Sequence, residues 1–211
     1  MVYRRKRNKT VAQSPVARCR PGLSVYAVLL LALLGTGAGT FSGPTLSAQT
    51  PASLAPFVPT PEDVVDRMLA LAGVTAHDVV YDLGCGDGRI VITAAERFGA
   101  RGVGVDIDPQ RIAESKANAE RAGVSHLVTF IQQDAVEVDL SDATVVTLYL
   151  LSSSNMKLRP MLTTQLESGA RIVSHAFAMG DWEPDQVDLF TDARGNTRKL
   201  YLWTHDGNVR P

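Results

Sequence analysis

Cysteine is scarce in this chain, and metal-binding side chains are not clustered. The 211 residues include only two cysteines, Cys19 and Cys85, and four histidines. Two cysteines do not make the bridge framework of small secreted domains, and no Cys or His group has zinc-ligand spacing. The sequence therefore indicates neither a disulfide scaffold nor a metal site. Cys85 stands between two glycines, which favours a small residue tolerated in a tight turn over a reactive thiol.

Acidic residues are missing from the first part of the chain. Residues 1–61 hold seven Lys and Arg and no Asp or Glu, whereas residues 62–211 hold 14 Lys and Arg against 22 Asp and Glu, a formal charge of −8. Affinity for nucleic acid comes largely from cationic contacts to phosphates. The acidic part of the chain is therefore a poor partner for nucleic acid, and no nucleic-acid acceptor is expected.

The N-terminal apolar run is short. Residues 23–34 follow the basic stretch 4–7, and a full membrane span needs about 20 apolar residues. We interpret residues 1–50 as a signal peptide or an N-terminal membrane anchor with its linker, and residues 55–206 as the folded domain. The protein is therefore predicted either to be anchored in a membrane through this segment, if the segment is not cleaved, or to be exported. Cytoplasmic placement of the domain stays open.

A glycine-rich turn follows the first β-prone stretch. Residues 79–81 lead into Asp82-Leu83-Gly84-Cys85-Gly86-Asp87-Gly88, and residues 89–98 then have the apolar spacing of a helix. The next predicted strand ends at Asp106, 20 residues after Gly86. A carboxylate at that place can hold both hydroxyls of a ribose. The turn and the acid together indicate a site for a nucleoside cofactor.

The spacing of this turn favours one kind of nucleoside. The dinucleotide fingerprint is G-x-G-x-x-G, whereas this chain has G-x-G-x-G with Arg89 in place of the third glycine. Asp82 and Asp87 flank the turn, where they would repel a pyrophosphate but attract a ligand with cationic groups. S-adenosylmethionine carries a sulfonium and an ammonium. The turn resembles the first motif of class I S-adenosylmethionine-dependent methyltransferases.

The order of the predicted strands and helices also indicates a nucleoside-binding type of α/β fold. Strands alternate with helices up to residue 175, and residues 187–191 and 199–204 then flank Arg194-Gly195-Asn196 as an antiparallel hairpin. The predicted fold is α/β: a Rossmann-like, mostly parallel sheet with helices on both faces and a C-terminal antiparallel hairpin. Thr60 and the serines 152–154 are expected to cap helices, and Asp108-Pro109 to begin one.

Four strings give a closer resemblance: residues 57–61 (FVPTP), 82–91 (DLGCGDGRIV), 169–174 (GARIVS) and 182–184 (WEP). Together they are similar to the small protein-lysine methyltransferases of the mitochondrial type. Members of that family modify the ATP synthase c subunit and the adenine nucleotide translocase, and they also carry an N-terminal membrane segment. The resemblance implies S-adenosyl-L-methionine as cofactor and a protein acceptor associated with membranes. Lysine specificity comes from the resemblance alone.

The resemblance also implies where the cofactor binds. In that class an acidic residue after the third strand contacts adenine, which points to Asp134, although a turn or helix cap would explain the same residue. The segment 57–60 is expected to fold over the cofactor as a lid. The full set of expected cofactor contacts is Thr60, Asp82, Gly84, Cys85, Gly86, Asp106, Ile107, Asp134 and Ala135.

Acceptor-side residues are expected at the carboxyl end of the fourth strand, because ligands of open α/β sheets bind there. Tyr149 is the first catalytic candidate, against a core tyrosine, and Ser152 is the second, against a helix cap. His175 and Trp182 could line the acceptor pocket or serve the core. The alternatives to a protein-lysine methyltransferase are a small-molecule methyltransferase, an NAD-dependent oxidoreductase and a non-catalytic cofactor binder.

Overall fold

The structure, a computed structural model, describes residues 53–211. Seven strands make one sheet: β1 (Val79–Leu83), β2 (Arg101–Asp106), β3 (Val128–Gln132), β4 (Val145–Leu148), β5 (Arg171–His175), β6 (Gln186–Thr191) and β7 (Thr197–Thr204). Four helices accompany them: α1 (Glu62–Leu71), α2 (Arg89–Phe98), α3 (Pro109–Ala122) and α4 (Ser152–Gln165). The predicted signal or anchor, residues 1–50, lies outside the described residues.

The sheet has the order β3-β2-β1-β4-β5-β7-β6. The first five strands pair in parallel, and β7 is antiparallel to both β5 and β6. The predicted mostly parallel sheet with a terminal antiparallel hairpin is therefore confirmed. The strand order reverses between β1 and β4, and such a reversal leaves a crevice at the carboxyl ends of the strands.

Two apolar layers cover the two faces of the sheet, because successive side chains of a strand point to opposite faces. Apolar residues of α1, α2 and α3 pack with Val80 and Val145 on one face. Leu158 and Leu162 of α4 pack with Leu83 on the other. The expectation of helices on both faces is confirmed. Within residues 53–211, none of the helices has the length and apolar character that a membrane crossing needs.

Helix caps are the part of the fold that the sequence predicts least well. Asp108 does cap α3, because its side chain accepts a hydrogen bond from Gln110 N. The cap predicted at Thr60 is wrong: Pro61 is extended, with ψ 148°, and takes the N-cap position before α1. The cap predicted at Ser152 is also wrong, since Leu151 takes that position and Ser152 is already helical.

A glycine is required at the start of α2. Gly88 has φ +80°, and a Cβ there would lie 2.7 Å from the Phe130 ring and 2.8 Å from Ser115 Cβ. Gly73, after α1, has a similar φ of +61° but open space around it. The two glycines share the backbone constraint and differ in the steric one.

This pair gives a test of the packing between α2 and β3. We expect Gly73→Ala to lower the free energy of unfolding by about 1 kcal/mol through backbone strain. Gly88→Ala should lower it by about 1–3 kcal/mol more, because Phe130 and Ser115 must also move. Urea titrations of the full chain measure both values, and equal losses would contradict the steric argument.

Candidate functional site

A cleft of about 400 Å³ lies at the carboxyl ends of β1, β2 and β4, where the strand order reverses. Its volume is in the range of small-molecule sites. Of the residues predicted to contact the cofactor, all nine line it: Thr60, Asp82, Gly84, Cys85, Gly86, Asp106, Ile107, Asp134 and Ala135. Tyr149 lines it as well, whereas Ser152 is exposed and is not among the lining residues.

The glycine turn is held by the neighbouring strand. The amides of Gly84 and Cys85 both donate to Val105 O, at 2.8 and 2.9 Å. Gly86 N donates to Asp106 Oδ2 at 2.8 Å, and the other oxygen of Asp106 accepts from Asp108 N at 2.9 Å. These bonds place the Asp106 carboxylate beside the turn, as the sequence predicted.

Asp82 is a buried carboxylate without a cationic partner. Its side chain is 3% exposed, and Oδ1 accepts a hydrogen bond from Thr147 Oγ1 at 2.8 Å. No Lys or Arg of residues 53–211 forms an ion pair with it. Burial, opposed by the Thr147 hydrogen bond and helped by the charges of Asp106 and Asp87, raises the pKa of Asp82 to about 7. A cationic group in the cleft would supply the missing countercharge.

Asp87, unlike Asp82, has a cationic partner. The prediction that both aspartates attract a cationic ligand is therefore corrected for Asp87. Arg89 Nη2 and Nε contact its carboxylate at 2.5 and 2.9 Å. Burial opposes ionisation, but the hydrogen bonds and charge of Arg89 outweigh it and hold the pKa of Asp87 below its usual value. The charge of Asp87 is therefore already compensated, and of the two aspartates that flank the turn only Asp82 has no cationic partner within residues 53–211.

Residues 53–60, here called the strap, form one wall of the cleft. Leu54 O accepts a hydrogen bond from Ser154 Oγ at 2.5 Å, which attaches the strap to α4. The Phe57 ring rests on Gly86, where a Cβ would be 2.3 Å from a ring carbon, and the Arg111 guanidinium lies 4.5 Å from the ring centroid. The predicted lid therefore covers the turn in the structure.

Arg89 fastens the other end of the strap. Its Nη1 donates to Thr60 O at 2.7 Å while the rest of the guanidinium holds Asp87. In the sequence, Arg89 stands out only as the residue in place of a third glycine, and its contact with Thr60 O was not predicted. The spacing of two residues between Asp87 and Arg89 allows the arginine to fold back onto the aspartate but does not require it.

The remaining candidates divide between the cleft and the core. Asp134 lines the cleft, and its Oδ1 accepts a hydrogen bond from Val136 N at 3.1 Å, as the turn-capping interpretation expects, while its contact with adenine stays a prediction. The Cys85 thiol is buried, and burial together with nearby carboxylates raises its pKa, which agrees with an inert thiol. Trp182 packs against Trp203 with ring centroids 5.9 Å apart and is not among the residues lining the cleft.

Known proteins are similar to this chain over most of its length. The family model of the ANTKMT methyltransferase domain matches residues 82–186. A protein-lysine N-methyltransferase of Saccharolobus islandicus (strain REY15A) is 48% identical over 149 residues, which are 70% of this chain and 92% of that protein. The chain belongs to the ANTKMT methyltransferase family. This methyltransferase depends on S-adenosylmethionine, and the NAD-dependent and non-catalytic alternatives are set aside.

Two further relatives frame the question of the acceptor. The adenine nucleotide translocase lysine N-methyltransferase of Mus musculus is 34% identical over 167 residues, 79% of this chain and 68% of that protein. The crystal structure of an RNA methyltransferase from Salinibacter ruber in complex with S-adenosyl-L-homocysteine is 54% identical, with a TM-score of 0.68, and covers 72% of this chain and 97% of that one.

The raised pKa of Asp82 predicts how cofactor binding depends on pH. If a cationic group of the cofactor pairs with Asp82, binding must remove its proton below pH 7. We then expect the affinity for S-adenosylmethionine to rise about tenfold per pH unit toward pH 7 and to level off above it. Asp82→Asn should weaken binding at pH 8 at least about tenfold and remove the pH dependence. Isothermal titration of the full chain measures both effects.

Stability provides the control for this substitution. Because the pKa of Asp82 is raised in the folded state, the free energy of unfolding falls as pH rises from the ordinary carboxyl range through about 7. Asp82→Asn removes that loss, so its thermal midpoint should exceed that of the wild type at pH 8, with a smaller difference at pH 5. Asp142→Asn, at an exposed acid outside the cleft, should change neither quantity. Unchanged cofactor affinity in D82N would contradict the assignment.

Proposed function

We propose that the methyltransferase transfers a methyl group from S-adenosylmethionine to the ε-amino nitrogen of lysine in a protein acceptor. The observation that carries the proposal is the unpaired, buried carboxylate of Asp82 beside the glycine turn, at the point where strand order reverses. The archaeal relative, of which the chain covers 92%, and the mouse relative are both named as lysine N-methyltransferases.

We assign the residues of the cleft by their chemistry. Asp82 faces the cationic end of the cofactor, and Asp106 takes the ribose hydroxyls, since carboxylate oxygens accept more than one hydrogen bond. Asp134 and Ala135 lie at the adenine end. The backbone of residues 84–86 allows close approach of the ligand, and Thr60 and Ile107 complete the walls.

The chain's own residues position the acceptor rather than activate it strongly. The cofactor supplies a methyl carbon already activated by a sulfonium. The lysine nitrogen must lose a proton to water before it attacks, and a partly desolvated site lowers its pKa. Positioning and water exclusion then supply the rate enhancement. Tyr149, at the cleft wall, is placed to orient the amine, and exposed Ser152 remains the second candidate.

RNA is the competing acceptor, because the Salinibacter ruber protein is described as an RNA methyltransferase. Electrostatics favour a protein instead. Residues 62–211 carry a formal charge of −8, which opposes the phosphate contacts that dominate nucleic-acid affinity. The same charge attracts a lysine-bearing surface. A small-molecule acceptor has no specific feature of the cleft in its favour.

Labelled cofactor distinguishes these acceptors. The full chain is incubated with S-adenosylmethionine carrying a labelled methyl group, and with either total membrane protein or total RNA from the producing cells. We expect label in protein, recovered as methylated lysine after acid hydrolysis, and at least about tenfold less label in RNA. Acetylating the lysines of the membrane protein beforehand should abolish transfer. Label confined to RNA would reverse the proposal.

We also propose that residues 1–50 bring the domain to a membrane, where its acceptor resides. The basic residues 4–7 before the apolar run 23–34 support this placement. An anchored chain would sediment with membranes and resist extraction at high pH, whereas a cleaved, exported chain would be shortened and found outside the cell. A full-length chain that stays in the supernatant would contradict both forms of the proposal.

A further inference from the structure

The turn that follows β5 has a strained backbone. Ala176 has φ +68° and is the only non-glycine residue among 53–211 with a positive φ. Its amide donates to Lys199 O at 2.8 Å, and Phe177 N donates to His175 O at 2.9 Å. Because strained residues persist where the surroundings over-determine them, and such places cluster at functional sites, this turn invites a functional explanation.

A side-chain network fixes the same turn from the face of the sheet that carries α4. Ser174 Oγ donates to Phe177 O at 2.6 Å, and Asn155 Nδ2 donates to Phe177 O at 3.1 Å and to Ser174 Oγ at 3.2 Å. Ser174 and Asn155 are both fully buried. The network holds the end of β5 in one position and leaves His175 pointing to the opposite face.

His175 lies behind the wall of the cofactor cleft. It is 1% exposed, and its ring packs against that of Tyr149 in a tilted arrangement, with centroids 4.0 Å apart and an interplanar angle of 30°. Tyr149 directly follows β4 and His175 is the last residue of β5, and the two strands are parallel neighbours in which Leu148 pairs with Ser174. Tyr149 is half-buried and lines the cleft. The imidazole is therefore placed to hold the tyrosine ring.

Other roles of this histidine are disfavoured. Nδ1 is buried without a hydrogen-bond partner, so this nitrogen does not anchor the fold. Burial lowers the pKa of His175 to about 4, with a further lowering by the charge of Arg198 and a smaller, opposite effect of Asp192. A base that weak is unprotonated and ineffective as a proton acceptor at neutral pH. What remains is the contact between the two rings, with an uncharged imidazole beside a cationic cofactor.

Resting on the function proposed above, we propose that Tyr149 faces the acceptor amine and that His175 is a positioning residue that fixes the tyrosine ring against the cleft. The strained backbone at Ala176 and the hydrogen bonds of Asn155 and Ser174 hold His175 in its position. No group of this unit exchanges a proton with the acceptor. Its contribution is to the orientation of the amine, so it should act on the transfer step and not on cofactor binding.

The test compares His175→Ala, which removes the ring, with His175→Phe, which keeps one. We expect H175A to lower kcat for the methylation of membrane protein about tenfold. The Kd for S-adenosylmethionine should stay within about twofold of the wild-type value. H175F should recover most of the rate, and neither variant should shift the pH profile of kcat. His205→Ala is the matched control, because His205 is also buried with an unpartnered ring nitrogen but is not among the lining residues.

Several results would overturn the proposal. The proposal is wrong if H175A keeps the wild-type kcat, or if H175F does not recover the rate. It is also wrong if H175A loses the ascending limb of the pH profile, or if H205A loses as much kcat as H175A. If the wild type methylates no lysine at all, the proposed function fails separately. The positioning role is then decided by n-butylamine, a lysine side-chain analogue: it should shift the ring resonances of Tyr149 in the chain saturated with S-adenosylhomocysteine, less so in H175A. No shift in either protein would refute the role.

Discussion

The hydrogen bond from Thr147 Oγ1 to Asp82 Oδ1 joins β4 to β1 at the place where strand order reverses. Within residues 53–211, it is the one hydrogen bond that the Asp82 side chain accepts, and its donor is uncharged. A neutral donor does not replace a countercharge. The helices and strands around it keep Asp82 dry, and the glycine turn beside it leaves room for a ligand. In the proposed assignment, the binding of an adenosyl sulfonium depends on a carboxylate that residues 53–211 leave without a countercharge.

The two sides of the cleft use different physics. On the cofactor side, carboxylates and backbone amides of β1 and β2 supply charge and hydrogen bonds. On the side proposed for the acceptor, Tyr149 presents an aromatic ring directly after β4 and packs against His175. In the proposed function, charge favours the binding of the cofactor, whereas shape and water exclusion govern the approach of a neutral amine.

Much of this could be predicted from the sequence, because its signals are local. The strands with continuous apolar runs, the Gly-rich turn and the position of Asp106 all depend on short patterns. The errors came from contacts that a pattern does not contain. The caps assigned to Thr60 and Ser152 were displaced by one residue by the backbone of Pro61 and Leu151. The charge of Asp87 was counted as free because its pairing with Arg89 depends on a side-chain rotamer.

Arg89 has a consequence for how the site assembles. One guanidinium closes the turn through Asp87 and holds the strap through Thr60 O, and Phe57 of that strap lies directly on Gly86. Turn and strap thus share Arg89 as a fastening point, in addition to the bonds of the turn to Val105 O and of the strap to Ser154 Oγ. A movement of Arg89 would release Asp87 and Thr60 O together, which links the glycine turn of the cleft to the segment that leads toward the N-terminus.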